Sequence, residues 1–156
     1  MNRILQNQTF EMKNVLSYRA KMTQNQFLES MNNVSLFMKE NSVKKNGYIV
    51  TSTFSIENTN NQQIMDIEIL IPIDKEIVSV NEYKFKKIFK LTNAVKIRHD
   101  GKSNLITQSS ELLMKYISDN GLTPITTGYN VTIKEPISAI DDIVVDIYIG
   151  ITENIL

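Results

Sequence analysis

Two stretches constrain this 156-residue chain more than any other feature: Asp66 to Ile73, DIEILIPI, and Asp142 to Ile151, DIVVDIYIGI, about half a chain apart. Ile67, Ile69, Ile71 and Ile73 alternate with other residues in the first, and Ile143, Val145, Ile147, Ile149 and Ile151 do so in the second. Successive side chains of a strand point to opposite faces, so each stretch is predicted to be a β-strand with one face committed to a core.

The surroundings of the two strands repeat as well. Upstream, Gly47-Tyr48-Ile49-Val50-Thr51 and Gly128-Tyr129-Asn130-Val131-Thr132 share the pattern Gly-Tyr-x-Val-Thr, and Ser52, Phe54 and Ile56 extend the first run at period two. The stretches SIENTNNQQ and KEPISA then read as hairpin connections of different length. Thr23-Gln24-Asn25-Gln26 has the form of a capping box, followed by Phe27, Met31, Val34 and Met38 on one helical face, with Leu28 beside it, to about Asn41. Its counterpart begins near Thr107-Gln108-Ser109-Ser110-Glu111, runs through Leu113, Tyr116 and Ile117, and stops at Asn120-Gly121, residues tolerant of positive φ. Before each helix lies a short extended run, Val15 to Arg19 and Ala94 to Arg98, both ending in arginine. Each half therefore reads strand, helix, strand, strand. The expected fold is α+β: a single domain of two such repeats, about 13–74 and 90–152, joined by a basic aromatic connector 75–90, with mainly antiparallel sheet and the helices on one face. Joining two such units lets them share a core that one of about this size covers poorly.

Composition removes several functions. Seventeen basic and seventeen acidic residues cancel, so no overall field attracts nucleic acid or an anionic membrane. The absence of cysteine excludes disulfides, thiolate nucleophiles and thiolate metal sites, and fits a reducing, cytoplasmic setting. The N-terminus has no apolar run of signal-peptide form, and no apolar run reaches the length of a membrane span. Neither glycine-rich phosphate motif occurs, and no metal or cofactor is expected. His99 is the single histidine; with Asp100 beside it in sequence and no nucleophile elbow, it suits a strand end better than a catalytic triad.

The doubled unit resembles the gyrase-inhibitor-like, or effector-binding (SOUL-like), superfamily. In the second half His99-Asp100-Gly101 resembles that family's His-x-Gly turn, Tyr116 stands near its helix tryptophan, Asp119-Asn120-Gly121-Leu122 resembles its helix exit and Tyr129 its tyrosine-bearing strand; Lys102-Ser103 replaces the Pro-Tyr that often follows the turn. The resemblance implies a cleft lined by aromatic rings, with a buried glutamate that attracts cationic ligands. Glu68, four residues before Pro72, suits that glutamate in the first half; counted from the strand starts, Val144 takes its place in the second, with Asp146 nearby. About a dozen residues precede the first repeat, too few for a helix-turn-helix, so DNA binding is not expected. Over nearly its whole length the chain also resembles the EsaE-like accessory proteins of type VII secretion toxin loci. That resemblance implies a non-enzymatic cytoplasmic adaptor that binds a large toxin, through the toxin's helical N-terminal segment, and brings it to the membrane secretion ATPase.

Two sets of residues are candidates for contact. Tyr18, Tyr48, Phe54, Glu68, Tyr129, Asp146 and Tyr148 would line a ligand or partner groove between the halves, although rings at period two ordinarily fill a core. Tyr83, Lys84, Phe85, Lys86 and Lys87 would form a basic docking strip, or else a strand whose rings turn inward while its lysines guard an edge. The strip lies in a segment, Lys75 to Lys102, with eight basic and three acidic residues, whereas Glu135, Asp141, Asp142, Asp146 and Glu153 occur in a tail without a basic residue. Three classes of function follow: a protein-binding adaptor, a stand-alone binder of hydrophobic or cationic small molecules, and, with the least support in the residues, an enzyme.

Overall fold

The computed structural model describes residues 3–135, 142–152 and 155–156. The elements in chain order are β1 (Ile4–Met22), α1 (Gln24–Glu40), β2 (Val50–Thr59), β3 (Gln62–Pro72), β4 (Tyr83–Lys102), a short 3-10 turn (Ser103–Leu105), α2 (Ile106–Asp119), β5 (Gly128–Lys134) and β6 (Asp142–Gly150). The strand pairs β1–β3, β2–β3, β4–β6 and β5–β6 are antiparallel, and with two helices the fold is α+β. The chain forms two compact units: a first of residues 12–88 and a second of residues 1–11 and 89–156.

In the first unit β3 is the central strand, paired with β1 on one side and β2 on the other. Its odd residues Ile67, Ile69, Ile71 and Ile73 form a core with Leu16 and Met22 of β1 and with Val34 and Met38 of α1. Burying such a side chain is worth about 1.5–3 kcal/mol, and this core is what fixes the faces of β3. The predicted helical face is present, with Phe27 and Met31 partly buried against that core and Leu28 left exposed. The capping box is present too: the Gln26 N–H donates to Thr23 Oγ1, and the Thr23 N–H donates to Gln26 Oε1.

In the second unit β6 is central, between β4 and β5, and Ile143, Val145, Ile147 and Ile149 pack with Val95 and Ile97 of β4 and Leu113 and Ile117 of α2. Its helix starts at Ile106, out of the 3-10 turn and with no side-chain cap, so Thr107 lies inside it instead of ahead of it. The KEPISA connection extends beyond the described residues after Glu135, as do Asp141 and Glu153.

The same backbone bonds recur inside each unit. Asn41 and Asn120 cap their helices alike, each side-chain amide donating at 2.8 Å to the carbonyl four residues earlier, Phe37 or Tyr116. Ser42, at φ 55, and Gly121, at φ 66, each supply the left-handed residue that ends the helix. The Ile73 N–H donates to the Asn14 carbonyl at 2.8 Å, and the Ile151 N–H to the Asn93 carbonyl at 3.0 Å. The Asn46 N–H reaches the Pro72 carbonyl, and the Ile125 N–H the Gly150 carbonyl.

These bonds and the strand pairing correct the sequence register. Across from Arg19 on β1 stands Glu68, and across from Arg98 on β4 stands Asp146. Asp146, not Val144, therefore holds in its unit the place that Glu68 holds in the other, and the segments that match are EILIPI (68–73) and DIYIGI (146–151). The shared Gly-Tyr-x-Val-Thr pattern is likewise out by two: Tyr129 pairs with Tyr148, whereas the residue paired with Leu70 is Val50, not Tyr48. A shift of two preserves which face each residue takes, so alternation alone could not reveal it. The expected short strands Val15–Arg19 and Ala94–Arg98 are interior pieces of much longer strands, and Tyr83–Lys90, expected as a connector or as a strand between the repeats, opens β4.

Candidate functional site

The even residues of β3 and β6 face away from the helix-covered cores, and on that side each unit buries one carboxylate. In the first unit Glu68 is 6% exposed. Ser17 Oγ donates to its Oε2 at 2.6 Å, and Lys86 Nζ reaches the same oxygen at 2.8 Å. A carboxylate removed from water needs such partners, because an unpaired charge there costs several kcal/mol. Arg19, directly across from Glu68, turns instead to Asp66, giving a bidentate pair with both N···O distances at 3.0 Å, and its guanidinium lies 3.7 Å from the Phe54 ring centroid. The Arg19 hydrogen bond, against the opposing effect of burial, holds the Asp66 carboxyl below the usual carboxylate range. Ser52, the cross-strand partner of Glu68 on β2, buries a hydroxyl with no hydrogen-bond partner.

In the second unit Asp146 is 3% exposed and is held more tightly. Arg98 donates Nε to Oδ1 at 2.7 Å and Nη2 to Oδ2 at 2.9 Å, and Lys96 Nζ is 3.3 Å from Oδ2. Burial alone would raise the Asp146 pKa; the Arg98 bonds and the charges of Lys96 and Arg98 outweigh it and hold the carboxyl below its ordinary value. Lys96 also lies 5.6 Å from the Tyr148 ring centroid. Tyr148 packs on Phe10, and Tyr129 on Phe89, with centroids 5.0 Å apart in both pairs. Burial, then the nearby Asp146 charge, pushes the Tyr148 phenol up.

Among the candidate groove residues, the second unit thus brings Tyr129, Asp146 and Tyr148 together. In the first, Phe54 reaches Glu68's neighbourhood only through Arg19, Tyr48 is exposed, and Tyr18 lies on the opposite, helix-covered side. There Tyr18 packs at 5.5 Å on Tyr83, which stacks at 4.1 Å on Phe37. Burial, followed by the charge of Glu82, pushes the Tyr83 phenol up. Of the candidate strip, Phe85 also joins that core, Lys86 is committed to Glu68, and Lys84 and Lys87 are exposed.

Sequence reasoning missed Ser17, Ser52 and the roles of Lys86 and Lys96. Parity gave no signal: Lys96 and Arg98 alternate with the core residues Val95 and Ile97, the pattern that a solvated strand face also shows. His99 is buried at the end of β4, with Nδ1 2.8 Å from Ser109 Oγ on α2 and Nε2 2.8 Å from the Lys102 carbonyl. A carbonyl only accepts, so Nε2 carries a proton and the ring ties the turn to the helix. Among the described residues no cluster of metal-binding side chains occurs, and no helix is long and apolar enough to cross a membrane.

No family model and no curated protein matches the sequence. Solved structures do. The C-terminal domain of EcmrR is similar at a TM-score of 0.72 and 14% identity, over 98% of this chain and 99% of that one. In an EcmrR–DNA complex the score is 0.75 at 13% identity, and the match covers 96% of this chain and 57% of the EcmrR chain, a little over half its length. A Listeria innocua protein described as a hydrolase matches at 0.62 and 10% identity, over 97% of this chain and 91% of that one. SAV2435 bound to tetraphenylphosphonium matches at 0.50 and 7% identity, over 97% and 94%. At these identities the likeness shows a shared fold alone.

Proposed function

We propose that this chain is a non-enzymatic adaptor that binds a type VII-secreted toxin in the producing cytoplasm and brings it to the membrane secretion ATPase. We further propose that it arose by tandem duplication of a strand, helix, strand, strand unit; the recurring caps, backbone bonds and arginine–acid register inside each unit support that origin. The observation that carries the functional reading is the internal neutralisation of both buried acids. Glu68 is satisfied by Ser17 and Lys86, and Asp146 by Arg98 and Lys96. A lipophilic cation would gain no unpaired carboxylate in either unit and would have to displace a cation already bound there. Exposed apolar residues in the first unit, among them Tyr48, Ile56 and, two turns apart on α1, Leu28 and Leu36, are of the kind that protein partners cover.

Purification of the tagged chain from its own cells is expected to recover a stoichiometric complex with one large secreted protein, and deletion of the chain to abolish that protein's export. Export that continues undiminished in the deletion strain would sink the adaptor reading. A second reading, a small-molecule binder, draws on the fold shared with the tetraphenylphosphonium complex of SAV2435 and on the unpartnered Ser52 hydroxyl beside Glu68. A saturable thermal shift with tetraphenylphosphonium that disappears in Glu68→Gln would favour it over the adaptor.

A further inference from the structure

The first unit carries a cavity of about 640 Å³, within the range of roughly 300–1,000 Å³ usual for ligand sites, that does not involve Glu68. Its apolar lining is Met31 and Met38 of α1, Val43, Ile49, and Ile71 of β3. Lys39, Lys44 and Lys45 also line it; all three are exposed, and among the described residues none is ion-paired. The wall that carries two of them is fixed: the Lys44 N–H donates to Asp74 Oδ1 at 2.9 Å, the Asp74 N–H returns to the Lys44 carbonyl at 3.0 Å, and the Asn46 N–H bonds the Pro72 carbonyl at 2.8 Å. Gly47, at φ 144, lets the chain pass close over Pro72, whose Cγ would lie 2.9 Å from any added Cβ. The nearby end of α1 would oppose an anion through its dipole, but the N–H groups of Asn41, Ser42 and Val43 already occupy its terminal carbonyls. What remains is a largely apolar trough beside three lysines whose ammonium groups have no ion-pair partner among the described residues.

We propose that this trough binds an amphipathic monocarboxylate of fatty-acid type, with the tail along Met31, Met38, Val43, Ile49 and Ile71 and the carboxylate among Lys39, Lys44 and Lys45. A linear alkyl chain matches a lining that is apolar but for Ser35, Ser42 and the lysines, and one anionic head answers three lysine ammonium groups that have no ion-pair partner among the described residues, the Asp74 carboxylate being engaged by the Lys44 N–H. The opposite sign of charge separates this site from the acid-bearing face of the same unit. The proposal is independent of the adaptor reading.

Isothermal titration of the full chain with dodecanoate, below its critical micelle concentration, tests it. Saturable one-to-one binding is expected, weakened about tenfold in the triple variant Lys39→Gln, Lys44→Gln, Lys45→Gln as exposed charge pairing is lost. Ser35→Trp, an exposed position on α1 that lines the trough, is expected to block binding while leaving the thermal melt unchanged. Dodecyltrimethylammonium, with the same tail and the opposite charge, is expected not to compete. Absence of saturable binding by the folded wild type, equal affinity in the triple variant, or equal competition by the cation would overturn the proposal. So would lysine-dependent binding of an acidic amphipathic peptide with no binding of dodecanoate, which would assign the trough to a protein partner.

Discussion

Glu68 and Asp146 occupy the same register position in their respective units, each across from an arginine, yet they are satisfied in different ways. Asp146 takes its facing Arg98 directly and adds Lys96; Glu68 loses its facing arginine to Asp66 and is served by Ser17 and Lys86. The difference follows from side-chain length and from neighbours. The first unit offers a second acid, Asp66, where the second has Val144, so Arg19 has a more exposed carboxylate within diagonal reach. The position two residues before the arginine is Ser17 in one unit and Lys96 in the other, which leaves Glu68 in need of a cation from further along the chain. One buried acid is held by a local cluster within a strand pair, and the other depends on the start of β4.

The largest effect that would test this contrast is expected from Asp146→Asn. It strands two cations, of which Lys96 is mostly buried, and about 2–3 kcal/mol of unfolding free energy should be lost after allowance for the half-exposed Arg98. Urea unfolding measures it; a loss no greater than that of Glu68→Gln would remove the contrast. Glu68→Gln keeps an acceptor for Ser17 and loses only the Lys86 pair, for an expected cost of about 1–2 kcal/mol.

Acidification should sharpen the same comparison. A carboxyl whose folded pKa is lowered contributes stability that is complete above its unfolded value, about 3.9, and disappears as pH falls through the folded value. The stability difference between wild type and Asp146→Asn is therefore expected to be constant from about pH 7 to pH 5 and to shrink below about pH 4. A difference that stays constant down to pH 2, in unfolding curves at matched ionic strength, would contradict the assignment. The smallest effect is expected from Ser52→Val, which copies Val131, the residue paired with Asp146. Removing a buried hydroxyl without a partner should leave stability unchanged or raise it by up to about 1 kcal/mol. A clear loss in the melting temperature would show that the hydroxyl has a partner in solution.

Much of the fold was legible in the residues. The α1 capping box, the Asn120-Gly121 stop, the parity of β3 and β6 and the order of elements depend on interactions between residues close in sequence, or on the period of one strand. The lengths of β1 and β4 were not legible, because polar segments such as Gln6–Thr9 and the mixed run Tyr83–Lys90 show no clean alternation. The candidate site was legible as a set of residue types more than as a set of neighbours: Tyr129, Asp146 and Tyr148 do meet, whereas Tyr18 and Glu68 lie on opposite faces of one sheet. The three lysines around the trough gave no signal, since only the return of residues 42–49 toward β3 gathers them.

By itself, then, the sequence determined which faces of the strands are apolar, where the helices begin and end to within a few residues, and that cysteine chemistry is not available. Those properties follow from local periodicity and from composition. Only the tertiary structure decided the register, and with it the equivalence of Glu68 and Asp146 and the choice of cation for each. The reason is the two-residue repeat of a strand: a shift of two leaves every side chain on its proper face and every core residue in the core, so burial does not choose between registers. That choice falls to contacts between distant residues, the Asn14–Ile73 and Asn93–Ile151 backbone bonds and the charged pairs on the side away from the helices.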